Sequence, residues 1–121
     1  MRVINHARLI EVGLAMPGSS LRYPFDPDLP VLFVGSKMYA LLGRTGPVES
    51  VNLKVEPEEA WLLRQQYPGV IVPGYHMNKK HWNTVLLTGE VPEAELLAML
   101  EQSYMLVRGK LTKAEREAID K

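Results

Sequence analysis

The sequence predicts an α+β fold in which helices pack one antiparallel sheet. Three observations carry that prediction. First, Val48 to Val55 alternates: Val51, Leu53 and Val55 point one way and Ser50, Asn52 and Lys54 the other, the period of a half-buried strand with a solvated polar face. Second, Ala60, Leu63 and Tyr67, and later Leu96, Leu100, Tyr104 and Val107, recur at helical spacing. Third, Pro17-Gly18, Gly35-Ser36 and Pro68-Gly69 cut the chain into short segments. The resulting order is a helix, three or four antiparallel strands, a helix, two strands and then helices.

Each element follows in turn. Val3, Ala7, Ile10 and Leu14 give the first helix its expected apolar stripe, and Pro17-Gly18 stops it, with Ser19-Ser20 in the turn. Tyr23 to Pro30 is rich in turn formers and leaves room only for a short edge strand or an extended loop. Val31-Leu32-Phe33-Val34 and Lys37 to Leu42 flank Gly35-Ser36, a pair that suits a type II′ hairpin. Their apolar residues on both faces predict strands covered on both sides. Pro57 opens the second helix with Glu58 and Glu59 near its positive end. Val70-Ile71-Val72 is a short strand, Pro73 to Asn83 a polar loop, and Thr84 to Thr88 the last strand. Pro92 opens the third helix and Gly109 closes it. Thr112 and Glu115 then form a capping box for a final short helix.

A chain of 121 residues is expected to form one domain spanning 1–121. It has no cysteine, which excludes disulfides, thiolate zinc and iron–sulfur clusters. No apolar run approaches the roughly 18 residues that span a bilayer, and Met1 to His6 lacks a signal-peptide core, so the expected location is cytoplasmic with no membrane partner. The 14 basic and 14 acidic residues cancel. Any nucleic-acid role must therefore rest on a local patch.

The densest polar stretch is Tyr75-His76-Met77-Asn78-Lys79-Lys80-His81-Trp82-Asn83. Cations neutralise phosphates, amides read base edges and aromatic rings stack on unpaired bases. The stretch contains no acid, whereas Glu56, Glu58 and Glu59 cluster elsewhere. The candidate nucleic-acid-binding residues are Asn52, Lys54, His76, Asn78, Lys79, Lys80, His81, Trp82 and Asn83. The competing reading is structural: Tyr75 and Trp82 anchor the loop and its lysines are merely solvated. His76 and His81 lie five apart without a neighbouring carboxylate, so no metal site is expected. Asp26 and Asp28, set among prolines, are read as turn stabilisers. His6 is expected at the surface and Trp61 in the core. No nucleophile elbow, P-loop or dinucleotide fingerprint is present, so neither a catalytic residue nor a cofactor is assigned.

Gly74 to Val85 resembles the signature stretch of the MmcQ/YjbR family. Val34 to Leu42, Asn52-Leu53-Lys54, Leu63 to Pro68 and Ser103-Tyr104 resemble other blocks of the same family. The resemblance implies an α-β(3)-α-β(2)-α architecture, similar to secretion-chaperone-like folds, and the label "DNA-binding". A lysine common in the family before the hairpin is Phe33 here, and a cysteine common after Asn-Leu-Lys is Val55. The first change lowers the positive charge available for DNA; the second removes thiol chemistry. Two further readings stay open: a protein-interaction or chaperone-like module, with a protein partner or self-association, and a small-molecule site in the same loop.

Overall fold

The computed structural model describes residues 3–74 and 77–120. In chain order the elements are α1 (His6–Leu14), β1 (Ser19–Arg22), β2 (Val31–Val34), β3 (Lys37–Thr45), β4 (Val48–Lys54), α2 (Pro57–Gln66), β5 (Ile71–Pro73), β6 (Trp82–Leu86), α3 (Glu93–Arg108) and α4 (Lys113–Ile119). Among the described residues the strands form one sheet in the order β1-β2-β3-β4-β6-β5. Every neighbouring pair is antiparallel. The fold is α+β, as the sequence predicts.

The number of strands before α2 is four, because the edge strand forms earlier than expected. Ser19–Arg22 pairs with Val34–Val31, and residues 23–30 stay a loop. Pro24, Pro27 and Pro30 lack the N–H that a ladder needs, whereas Ser19 to Arg22 all have one. Asp26 does stabilise that loop: its carboxylate accepts the Asp28 N–H at 2.8 Å. Strand β5 ends on Pro73, which an edge position tolerates.

Helices cover one face of the sheet. The core there joins Leu32, Ala40, Leu42, Val51, Leu53 and Val85 from the strands to Leu96, Leu100, Tyr104 and Val107 of α3. The α3 stripe is the expected one. The α1 stripe is not. Leu9 and Gly13 are its buried residues, while Val3 and Leu14 are 49% and 45% exposed. A Cβ on Gly13 would lie 2.6 Å from Leu32 Cδ1 and 2.9 Å from Tyr39 Oη. Glycine at this position lets α1 approach the sheet closely, and that contact sets the buried face. Trp61 is likewise not in the core. Helix α2 buries Ala60 and Leu63, and Trp61 projects away at 59% exposure.

A bulge between β2 and β3 adds Tyr39 to the helix-facing side. Leu32 pairs with Ala40, but the next pair is Phe33 with Met38. The Tyr39 hydroxyl donates to Gly13 O at 3.2 Å and lies 2.9 Å from Ser19 Oγ. Burial pushes its pKa up to about 12. Its ring packs edge-on against Tyr104 at 5.4 Å and 84°. Buried Ser103 joins the layers: its hydroxyl donates to Tyr39 O at 2.7 Å and accepts the Lys54 N–H at 2.8 Å.

His6 is not a free surface residue. Its ring Nε2 lies 2.9 Å from Ser50 O, and its backbone N–H donates to Glu49 at 2.9 Å. Among the described residues no helix is long and apolar enough to cross a membrane.

Candidate functional site

The face turned away from the helices carries Asn52, Lys54 and Trp82 of the candidate residues. On β4, Asn52 and Lys54 point outward while Leu53 and Val55 point to the core, as the alternation predicts. Across the ladder, Lys54 stands opposite Trp82 and Asn52 opposite Thr84. The Lys54 ammonium lies 6.0 Å from the Trp82 ring centroid, within reach of a cation–π attraction. Thr84 donates its hydroxyl to Asn52 Oδ1. The polar side of β4 is therefore not fully solvated. Ser50 is buried, and Asn52 and Lys54 are half-buried, because each leans on a neighbouring strand.

A small apolar cluster lies on the same side. Val31, Leu41 and Trp82 are buried there, under Leu29 and Met77 from two loops. Phe33 borders it, with the Arg22 guanidinium 4.5 Å from its ring centroid. Arg22 also donates to Gly35 O at 3.2 Å. This face thus presents two cations, each laid over an aromatic ring. Trp82 is only 8% exposed and Phe33 is half-buried.

The loop before β6 adds the remaining candidates. Asn78 organises it: Oδ1 accepts the Lys80 N–H at 2.9 Å, and its backbone oxygen accepts from His81 at 3.1 Å and Trp82 at 3.0 Å. Lys79 and Lys80 are exposed and His81 is half-buried. At the loop entrance, a Cβ on Gly74 would lie 2.8 Å from Trp82 Cβ and 3.0 Å from Trp82 O. Only glycine fits that approach. Tyr75 and His76 fall outside the described residues.

Asn83 departs from the expected group. It alternates with Trp82 and points to the helix side, where it is 1% exposed. Its Nδ2 donates to Ala60 O at 3.3 Å, and its Oδ1 accepts from Arg64 Nε at 2.7 Å. Arg64 also donates to the backbone oxygens of Lys79 and Trp82. Helix α2 therefore grips the base of the lysine loop through Arg64. Neither Arg22 nor Arg64 is singled out by the sequence. The parity of Asn83 with buried Val85 is the signal that could have placed it.

Carboxylates, though not cations, are segregated across the sheet. Among the described strands the one carboxylate is Glu49. It faces the helices, accepting the His6 N–H and lying 3.6 Å from Arg44. A cleft of about 510 Å³ between α2 and α3 gathers Glu56, Glu58, Glu59 and Glu95 on the helix side. The hydrogen bond to Glu95 lifts the pKa of Tyr67 above its ordinary value. No group of three His, Cys, Asp or Glu among the described residues could hold a metal.

The family model YjbR matches residues 14–106. The chain belongs to the YjbR family. It is 36% identical to the uncharacterized protein YbdF of Escherichia coli O157:H7, over 94% of this chain and 93% of that one. It is 30% identical to the uncharacterized protein YjbR of Escherichia coli strain K12, over 93% and 95%. The crystal structure of a Deinococcus radiodurans protein with a DUF419 domain superimposes with a TM-score of 0.89 at 42% identity, covering 98% of this chain and 89% of that one. A Pseudomonas syringae crystal structure gives 0.72 at 32% identity, covering 85% and 98%.

Membership in the YjbR family fixes the fold, and function has to be argued from the site. Phe33 and Val55 now have locations. Phe33 lies against the Arg22 guanidinium of the next strand. Val55 is 8% exposed and belongs to the core.

Proposed function

We propose that the outer sheet face and the 77–81 loop bind the phosphate chain of a nucleic acid. The observation that carries this reading is the segregation of the carboxylates. Arg22 and Lys54 stand on the side from which the strands' carboxylate is turned away, and Lys79 and Lys80 lie exposed in the loop that leads into β6. A phosphate chain meets cations there without carboxylates on the strand surface. Asp26 and Asp28 lie in the 23–30 loop beside it, and the Asp26 carboxylate is engaged by Asp28 N–H.

The roles follow from exposure. Lys79 and Lys80 are free to reach phosphates, while Lys54 and Arg22 add fixed positive charge above Trp82 and Phe33. Covered rings offer no open stacking platform. Asn78 spends its side-chain oxygen inside the loop. Binding is accordingly read as backbone-directed, with little sequence preference. With a net charge of zero it is weak and falls steeply with salt.

The test is fluorescence anisotropy with labelled duplex and single-stranded DNA at several salt concentrations. Each lysine that neutralises a phosphate contributes roughly 0.9 to the duplex salt slope. Lys79→Ala with Lys80→Ala should weaken binding and flatten the slope by up to about 2. Absence of wild-type binding at low salt, or an unchanged slope in the double variant, refutes the proposal.

A further inference from the structure

Helix α2 has a second surface that the core does not use. Trp61 and Leu62 are 59% and 54% exposed. With Pro57 and Glu58 they line a shallow apolar depression. On the other side of Glu58 lies the α2–α3 cleft, with Leu53, Val85 and Met99 among its apolar lining. Glu58 borders both features, so they form one continuous surface.

The acids of this surface lack cationic partners. Among the described residues none of Glu56, Glu58, Glu59 or Glu95 forms an ion pair. Lys54 reaches the cleft wall, but its ammonium lies over Trp82 on the other face of the sheet. Part of the acidity has a structural use. Glu58 and Glu59 complement the positive end of α2, and Glu95 accepts the Tyr67 hydroxyl at 2.6 Å. That use does not account for a tryptophan and a leucine left in water beside them. Single exposed apolar residues are ordinary; a large aromatic adjoining an apolar cleft is the form of a docking anchor.

We propose that this surface docks a basic amphipathic helix of a protein partner. The partner's apolar residues would contact Trp61 and Leu62 and enter the cleft, and its lysines or arginines would meet the glutamate rim. A helix is about 10–12 Å across, so the cleft admits its side chains while its backbone rides along the rim. Charge complementarity selects the occupant: a neutral or acidic helix would leave the four carboxylates facing apolar or like-charged groups. The surface is on the helix side of the sheet and the proposed phosphate-binding face is on the other. The two proposals stand independently, and both ligands could be held at once.

The probe is a labelled peptide of roughly 14 residues, about four turns, with leucine and lysine at helical spacing. The controls are a leucine–glutamate peptide of the same spacing and a leucine–lysine peptide with the spacing scrambled. The amphipathic basic peptide should bind about tenfold more tightly than either control. Glu58→Lys with Glu59→Lys should weaken it about tenfold, and Trp61→Ala should do the same. Lys79→Ala with Lys80→Ala should leave peptide binding unchanged, which separates this site from the phosphate-binding face. Leu62→Ala supplies an independent reading if the charge-reversal variant does not fold. The proposal is overturned if the scrambled peptide binds equally well, if Trp61→Ala and Leu62→Ala bind like wild type, or if sedimentation shows a Trp61-dependent dimer that excludes the peptide.

Discussion

Successive residues on β4 and β6 face two different environments. On the helix side, every strand contributes to a closed core, and the fully buried polar side chains Asn83 and Ser103 are bonded, Asn83 to Arg64 and Ala60, Ser103 to Tyr39 and Lys54. On the outer side the apolar cluster is small, closed by loops, and its cations lie along aromatic rings. A fully buried leucine contributes about 1.5–3 kcal/mol relative to exposure, and the helix side holds most of them. The helix side fixes the fold. The outer side is left able to vary, and the loop gripped by Arg64 is where it meets solvent.

The contrast is sharpest between neighbours. Leu53 is 1% exposed in the main core, and Leu53→Ala should cost roughly 2–5 kcal/mol of stability. Lys54→Ala removes a half-buried cation from the Trp82 ring and should cost at most about 1 kcal/mol. Urea denaturation of both variants measures the difference. If Lys54→Ala proves as costly as Leu53→Ala, the outer face is a second core and the division drawn above fails.

Asn83 and Lys79 offer the next comparison, since both lie within Arg64's reach. Asn83→Ala strands the Arg64 Nε donor and removes a second bond from the Ala60 carbonyl. It should cost roughly 1–3 kcal/mol, with no change in the salt slope of DNA binding at temperatures where the variant is folded. Lys79→Ala should show the reverse: unchanged stability and a lower slope. A variant of Asn83 that keeps its stability but loses slope would move that residue to the ligand side.

How much of this was legible depended on whether a pattern or a tertiary contact decided the outcome. The α3 stripe from Leu96 to Val107 is made of large apolar residues over four turns, and Val51, Leu53 and Val55 alternate cleanly, so both were readable. The face of α1 was not, because Gly13 carries no apolar signal and its meaning lies in its contact with Leu32 and Tyr39. Trp61 was misread because an aromatic on a short helix suggests core, whereas Ala60 and Leu63 had already defined the buried side. In the candidate site, the outward setting of Asn52 and Lys54 followed from alternation, and the exposure of Lys79 and Lys80 from their polar setting. Arg22 and Arg64 acquire their roles from Phe33 and from the base of the lysine loop, both distant in sequence. Ser50 was expected in water, but the neighbouring strands and the docking of His6 on its carbonyl enclose it.

The smallest expected effect concerns the tie between α4 and the sheet. Thr112 caps α4, its hydroxyl accepting the Glu115 N–H at 3.2 Å. In a reciprocal capping box Glu115 would reach back to the Thr112 N–H. Here its carboxylate is bonded to Thr112 in that way and also accepts the Ser36 N–H at 3.1 Å, in the turn between β2 and β3. Glycine is needed beside it: Gly35 has a φ of +56°, and a Cβ there would lie 3.0 Å from Glu115 Oε2. Hydrogen bonds from Ser36, its hydroxyl first and its N–H after, favour the ionised carboxylate and hold its pKa below the ordinary 4.5. A folded-state pKa lowered in this way stabilises the protein above the unfolded value, and that contribution disappears as pH falls through the folded one. Wild type should therefore melt above Glu115→Gln at neutral pH, and the gap should close as the pH is taken below 4.5. Thermal melts of both proteins across that range measure it. A gap that stays constant into acid would mean that the Glu115 charge does not hold α4 to the hairpin, leaving the Thr112 cap and the packing of Leu111 to do so.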